Sequence, residues 1–270
     1  MLSRATSDLV AAGVASPRVD AELLAAAVLG VGRGRLALIE SMRAEEAERF
    51  RALVDRRARR IPLQHLLGTA AFRHLDLAVG AGVFVPRPET ELLAGWGIEQ
   101  VRPGDVVVDL CSGSGAIAAA VADEARPGRV IALERSTSAL SYLRRNVREG
   151  IEVVEGDVTD PGVLGDLDGR VDVVLCNPPY VPDGTPVPEE VSAHDPAEAV
   201  FGGADGLAVI RPVVALAARL LKPGGVAGIE HDDTQGAAVP ELLRADGRFD
   251  EVAGHADLAG RPRYATARRR

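Results

Sequence analysis

Apolar residues recur along this chain at two different periods, and the change between them divides it. From Thr6 to about Gly68 the spacing is helical, as in Val19, Leu23, Leu24, Ala27 and Val28 behind Ser16-Pro17, an N-cap followed by a first-turn proline. A longer amphipathic stretch, about Glu45 to Arg59, turns Phe50, Leu53 and Val54 inward. It turns Arg51, Arg56, Arg57 and Arg60 outward, a solvated cationic face that also suits the macrodipole near a helix C-terminus. After Gly68 the period becomes two. Leu75, Leu77 and Val79 alternate, Gly80-Ala81-Gly82 supplies turn residues and Val83-Phe84-Val85 resumes extended chain, which predicts a β-hairpin joining two domains. Pro86-Arg87-Pro88 stops the strand, and helical spacing returns over Glu89 to Ile98.

Beyond that point strands and helices alternate. Val106 to Leu110, Val130 to Glu134, Ile151 to Val154, Val171 to Cys176 and Val226 to Glu230 are near-continuous apolar runs, as expected of strands buried on both faces. Helical segments at about Ala116 to Asp123, Ser138 to Val147, Leu207 to Leu221 and Gln235 to Leu243 separate most of them. The βαβ pattern predicts an α/β fold with a doubly wound, mostly parallel sheet. The tail departs from it: Phe249 to Gly254 and Arg263 to Ala267 flank Gly260 and read as an antiparallel hairpin at the sheet edge. The expected division is an N-terminal helical bundle over 1–69, a hairpin linker over 70–86 and an α/β domain over 87–270.

Composition narrows the function classes. At 270 residues, with 47% hydrophobic and 26% charged residues, the chain can bury a substantial core. No apolar stretch reaches the length of a membrane span, and Met1 to Gly13 carries no cleavable signal pattern, so no membrane partner and a cytoplasmic location are expected. A net charge of −8, with Lys222 the only lysine, argues against a phosphate-tracking surface and hence against direct nucleic-acid binding. Cys111 and Cys176 have no metal or CxxC spacing and read as reduced core fillers. His65, His74, His194, His231 and His255 lack a matching nucleophile or metal partner, so no metal is expected.

Two motifs carry candidate chemistry. Cys111-Ser112-Gly113-Ser114-Gly115 closes the first long strand and opens a helix, at the topological switch point of a doubly wound sheet. GxGxxG is absent, and the loop alone leaves a nucleotide and S-adenosylmethionine equally open. Glu134 ends the next strand, where a carboxylate can accept ribose hydroxyls. Asp157 follows the third strand beside the apolar Val158, and could accept from an adenine amino group or simply form a turn. Asp109, Glu134 and Asp157 place negative charge at three successive strand ends, which suits a sulfonium cation better than a pyrophosphate. The second motif, Asn177-Pro178-Pro179-Tyr180, follows a β run. A planar NH2 group is a poor nucleophile, and an enzyme using one as attacker must grip both hydrogens. The Asn177 side-chain oxygen and the Pro178 carbonyl can accept them, while Tyr180 offers a flat face for an amide or a base.

Further residues carry a family resemblance: Pro62-Leu63-Gln64, Gly68, Phe72, Pro86-Arg87-Pro88-Glu89-Thr90-Glu91, Asp109 to Gly115, Glu134, Asp157 and Asn177 to Tyr180. So do Asp195-Pro196, Gly202-Gly203, Asp205-Gly206-Leu207, Lys222 to Gly225 and Asp257 to Gly260-Arg261. Together these resemble the PrmC/HemK family of peptide chain release factor glutamine methyltransferases. The resemblance implies a Rossmann-like class I methyltransferase fold with a seven-stranded sheet, use of S-adenosylmethionine with S-adenosylhomocysteine as product, and a class I release factor as protein partner. It implies that residues 111 to 115 and Glu134 hold the cofactor and that Asp157 and Val158 flank its adenine. Asn177, Pro178, Pro179 and Tyr180 would hold the glutamine amide, with Asn177 touching both ligands. Phe72 and Arg87 to Glu91 resemble residues that line the site.

The sequence departs from the family at two places. Cys111 stands where a glycine is common, so a positive φ there would be hard to meet, and Val158 stands where some members have an aromatic. The rival readings are an amino methyltransferase of adenine or guanine, a glutamine methyltransferase of a ribosomal protein, and a nucleotide-binding scaffold without chemistry.

Overall fold

The computed structural model describes residues 1–270. Its N-terminal helices are α1 (Leu2–Ala11), α2 (Pro17–Leu29), α3 (Ala44–Ala58) and α4 (Leu63–Leu67), with a 3-10 turn over Arg33–Leu38. Helical periodicity brings Leu9, Ala21, Leu24, Ala25, Phe50 and Val54 into one buried cluster. These helices form a compact unit over Met1–Ala70 that also takes in Val79–Ala81 and Val187–His194.

One expectation fails here. Arg57 is buried rather than solvated, because two carboxylates distant in sequence reach it. Its Nε donates to Asp20 Oδ2 at 2.7 Å and its Nη2 to Glu190 Oε1 at 3.0 Å. Arg60, which the periodicity also places outward, donates to the same Glu190 and to the carbonyls of Ala12 and Gly13. Burial raises the Glu190 carboxyl, but the bonds from Arg60 and Arg57 outweigh it and hold it at about 2. Periodicity sorts apolar from polar positions; it does not show which cation has a buried partner.

The hairpin is built one strand earlier than the alternation suggests. It consists of β1 (Thr69–Phe72) and β2 (Leu75–Ala78), turned at Arg73 with φ 51°. Val83 and Val85 form no strand, and their apolar side chains are instead buried at 0% and 1% exposure.

The second compact unit, Ala71–Ala78, Gly82–Pro186 and Asp195–Arg270, opens with α5 (Thr90–Gln100). It continues through β3 (Val106–Leu110), α6 (Ala116–Glu124), β4 (Arg129–Glu134), α7 (Thr137–Asn146), β5 (Ile151–Glu155) and β6 (Val171–Cys176). After α8 (Glu189–His194), which belongs to the first unit, come α9 (Ala197–Val200), α10 (Ile210–Leu220), β7 (Leu221–Glu230), α11 (Ala238–Ala245), β8 (Phe249–Ala256) and β9 (Pro262–Arg269). Seven strands form one sheet in the order β5-β4-β3-β6-β7-β9-β8. The first five are parallel, and β9 pairs antiparallel with both β7 and β8. The apolar runs read from the sequence are thus the parallel strands, buried in β3, β4, β6 and most of β7, whereas β5 lies at the sheet edge with no buried residue; the tail is the antiparallel edge at the other side.

The strand order produces the site. From β3 the chain winds outward through β4 and β5, then returns to the other side of β3 with β6 and β7, so β3 and β6 are neighbours although 61 residues separate Cys176 from Gly115 (176 − 115 = 61). Leu110 pairs with Cys176 in register, which sets the loop after β3 beside the loop after β6.

Candidate active site

Five parallel strand ends lie side by side, and each of the first four carries residues singled out by the sequence: Asp157 after β5, Glu134 on β4, 111–115 after β3 and Asn177–Tyr180 after β6. The fifth, β7, ends in Glu230.

The loop after β3 is organised around two buried carboxylates. Asp109 Oδ2 accepts the Ser112 hydroxyl at 2.5 Å and the Ala118 N–H at 3.1 Å, so it acts as a cap for the first turn of α6. Burial pushes its carboxyl up to about 7, partly offset by those two bonds. Its Oδ1 is buried and has no hydrogen-bond partner. Glu134 Oε2 accepts the Gly113 N–H at 2.8 Å, while Oε1 accepts the N–H groups of Arg135 and Ser136. Ser112 N–H is taken by the Leu133 carbonyl and Gly115 N–H by that of Ser112. With these amides committed inward, the loop is no anion nest, and its rim is acidic. A diphosphate would meet carboxylates there; a sulfonium or ammonium would meet a favourable field. At Gly113 no atom lies within 4 Å of where a Cβ would stand, so the backbone can be approached closely from that side. The donor set fits S-adenosylmethionine.

Two positions in the loop have backbone requirements. Gly115, at φ 86°, must be glycine twice over, since a Cβ would also stand 2.6 Å from Leu143 Cδ1 of α7. Cys111 adopts φ 56°, the left-handed conformation that its side chain disfavours by roughly 1–2 kcal/mol. It is half-buried and packs against the apolar cluster that contains fully buried Cys176. Burial, then the neighbouring Cys111, raises the Cys176 thiol well above its ordinary value, so Cys176 reads as unreactive at neutral pH.

Asp157 is engaged locally. Its Oδ1 accepts the Thr159 N–H and hydroxyl, both at 2.8 Å, and Oδ2 accepts Arg135 Nη1 at 3.2 Å. This is the turn role that the sequence left open beside the adenine role. Val158 is 8% exposed and belongs to the same buried cluster as Leu133 and Val163. Ser114 is buried, its carbonyl accepting Asn146 Nδ2 at 2.9 Å.

The tetrad is braced from a distance. Asn177 Nδ2 donates to Thr90 Oγ1 at 3.0 Å, which leaves Oδ1 as an acceptor on the half-exposed side chain. Pro178 is buried and Pro179 half-buried. The Tyr180 hydroxyl donates to Glu230 Oε1 at 3.0 Å, and its backbone carbonyl accepts Gln235 Nε2 at 3.0 Å. Burial and the adjacent Glu230 carboxylate raise the phenol, so Tyr180 stays protonated. Gly206 faces the Tyr180 carbonyl so closely that no side chain could stand there, which accounts for its place in Asp205-Gly206-Leu207.

Sequence reasoning missed Thr90 as a partner of Asn177, and Glu230 and Gln235 as partners of Tyr180. A signal existed for Glu230, an acidic residue ending a strand as Glu134 does. Of the residues expected to line the site, Phe72 is wholly buried in the core and Arg87 donates to Asp195 Oδ2 at 2.6 Å while lying over the Phe84 ring. Glu91 Oε1 accepts the Arg73 N–H. No helix is long and apolar enough to cross a membrane.

The same elements recur in known proteins. A family model described as PrmC N-terminal domain matches residues 1–68, and one described as methyltransferase small domain matches residues 90–191. The release factor glutamine methyltransferase of Mycolicibacterium smegmatis is 54% identical over 99% of this chain and 96% of its own length. That of Mycobacterium leprae is 47% identical over 100% of this chain and 96% of its own. Among solved structures, a methyltransferase from Pyrococcus furiosus matches with a TM-score of 0.54 and 19% identity, covering 74% of this chain and 90% of that one, a likeness of fold.

Proposed function

The chain belongs to the release factor glutamine methyltransferase family, and from that premise we propose that it methylates the side-chain amide nitrogen (N5) of the glutamine in the Gly-Gly-Gln motif of class I peptide chain release factors. The observation that carries this reading is the orientation of Asn177. With Nδ2 committed to Thr90, its Oδ1 is an acceptor at the junction of the two loops. An acceptor is what an attacking NH2 group needs.

Ser112 to Gly115 and Glu134 hold the cofactor in this reading, with Asp109 supplying charge beneath the loop and Asp157 and Val158 flanking the adenine. When bound, S-adenosylmethionine supplies a methyl group on a positively charged sulfur. Asn177 Oδ1 and the Pro178 carbonyl accept the two N–H bonds of the glutamine amide, and the Tyr180 ring packs on its plane. Holding the nitrogen in line supplies most of the rate. Accepting both hydrogens also favours pyramidal nitrogen, so the acceptors stabilise the transition state more than the planar ground state. The amide nitrogen keeps its proton until the new N–C bond has formed, and then releases it to water, so no dedicated base is required.

Incubation with labelled S-adenosylmethionine and a bacterial class I release factor, followed by peptide mapping, tests the assignment. Label is expected on the Gly-Gly-Gln glutamine. Label confined to RNA or to a ribosomal protein overturns it.

A further inference from the structure

Gln235 is buried, 4% exposed, and its side-chain amide makes three hydrogen bonds. Its Nε2 donates to the Tyr180 carbonyl at 3.0 Å and to the Asp205 carbonyl at 3.1 Å, and its Oε1 accepts the Asp232 N–H at 3.0 Å. These partners fix which end of the amide is which, since a flipped one would set Oε1 against two carbonyls. The turn that carries it is held in its own right by Asp232 Oδ1, which accepts the Thr234 N–H at 3.0 Å and hydroxyl at 2.6 Å. One side chain thus joins three loops: the tetrad after β6, 201–207 between α9 and α10, and 231–236 after β7.

The second of these loops lies backbone to backbone against the tetrad. Val181 N–H donates to the Val200 carbonyl at 3.0 Å, and Gly202 N–H to that of Val181 at 2.9 Å. A Cβ at Gly202 would stand 2.6 Å from the Pro179 carbonyl oxygen, and one at Gly206 would overlap that of Tyr180. The tetrad has few soft torsions of its own, because Pro178 and Pro179 have fixed φ. Its first end is set by β6, where Cys176 pairs in register with Leu110 and Ile229. Gln235 sets the other.

We propose that Gln235 is a positioning residue for methyl transfer: by holding the Tyr180 carbonyl against the loop 201–207, it fixes the Pro178 carbonyl and the Tyr180 ring where they frame the reacting nitrogen. This rests on the reading that the tetrad grips the substrate amide. Gln235 acts through the main chain and touches neither substrate nor cofactor. A buried amide that only tied loops together would govern stability alone; one whose bond ends on the tetrad's own carbonyl also governs turnover. Gly202 and Gly206 acquire a role by the same argument, as the surface on which the tetrad's main chain rests.

The test uses the full chain, labelled S-adenosylmethionine and a class I release factor, comparing wild type with Gln235→Met, Gln235→Glu, Asn177→Ala, and Gln235→Met combined with Asn177→Ala. Rates are taken per folded molecule, counted by calorimetric binding of S-adenosylhomocysteine. Gln235→Met keeps the length of the side chain and removes all of its hydrogen bonds. Its kcat is expected to fall about 10- to 100-fold, the scale of a misplacement of about 1 Å in a positioning group. KM for the release factor and affinity for S-adenosylhomocysteine are expected to stay within a few-fold of wild type. Gln235→Glu sets a carboxylate against two carbonyls and is expected to be at least as impaired; it serves if the methionine variant does not fold. Added to Asn177→Ala, Gln235→Met is expected to cost little more, because the grip it positions is already lost. Gln235→Met at full kcat overturns the proposal however far it lowers Tm, as does a loss of cofactor affinity equal to the loss of kcat, or an undiminished further loss in the combined variant. Wild-type activity in Asn177→Ala would instead defeat the underlying reading, so the two failures are distinguishable.

Discussion

The two halves of the candidate site are held by different means. On the cofactor side the loop is wired to residues close in sequence: Ser112 and Ala118 bond Asp109 at separations of 3 and 9 residues, and Gly113 bonds Glu134 at 21. On the amide side the partners are remote, with Thr90 lying 87 residues from Asn177, Glu230 lying 50 from Tyr180 and Gln235 lying 55. The first half is a property of one βαβ unit and survives wherever that unit folds. The second exists only when α5, β6 and β7 are all in place. A glycine-loop cradle can therefore be shared by enzymes of many chemistries, whereas the grip on a particular nucleophile depends on the assembled domain.

Breaking the amide side at its centre should have the largest effect. Asn177→Ala removes the oriented acceptor and is expected to lower kcat by about 10²- to 10³-fold while cofactor affinity, measured by calorimetry, changes only modestly. Activity within a few-fold of wild type would remove the distinction between the two halves.

A change in pH acts on both halves at once. Asp109 and Glu230 are each pushed up to about 7 by burial, above ordinary values of 3.8 and 4.5. Between those limits the folded chain binds protons that the unfolded chain has released. The stabilisation is therefore present in full below the unfolded values and is lost as pH rises through about 7. Thermal denaturation between pH 5.5 and 8.5 should show stability falling with pH, and Glu230→Gln should shallow the slope while leaving the Asp109 contribution. A slope unchanged in that variant would place the titration elsewhere.

The smallest effect is expected at Cys111. Replacing it with glycine relieves the left-handed backbone strain and should raise stability by up to about 1 kcal/mol in denaturant titration, leaving the amide side untouched. A loss of stability would mean that the thiol's packing against the apolar cluster outweighs the strain. Strain confined to the cofactor loop would be consistent with that loop being the locally determined half.

What the sequence determined by itself was the local pattern. Continuous apolar runs marked the inner parallel strands because both faces of such strands are buried, and Val106 to Leu110 and Val171 to Cys176 were read to the residue. The glycine loop, Glu134 and the tetrad were legible because each sits where a strand ends and must be of a restricted type to do so. Tertiary structure alone decided the pairings. Arg57 read as solvated because its own helix is amphipathic, yet Asp20 and Glu190 bury it. The extended valines 83 and 85 were consumed by core packing instead of a ladder. Thr90 and Glu230 carried no periodic signature as partners of the tetrad, since hydrogen-bond geometry between elements depends on strand order, and strand order is set by how the whole sheet closes.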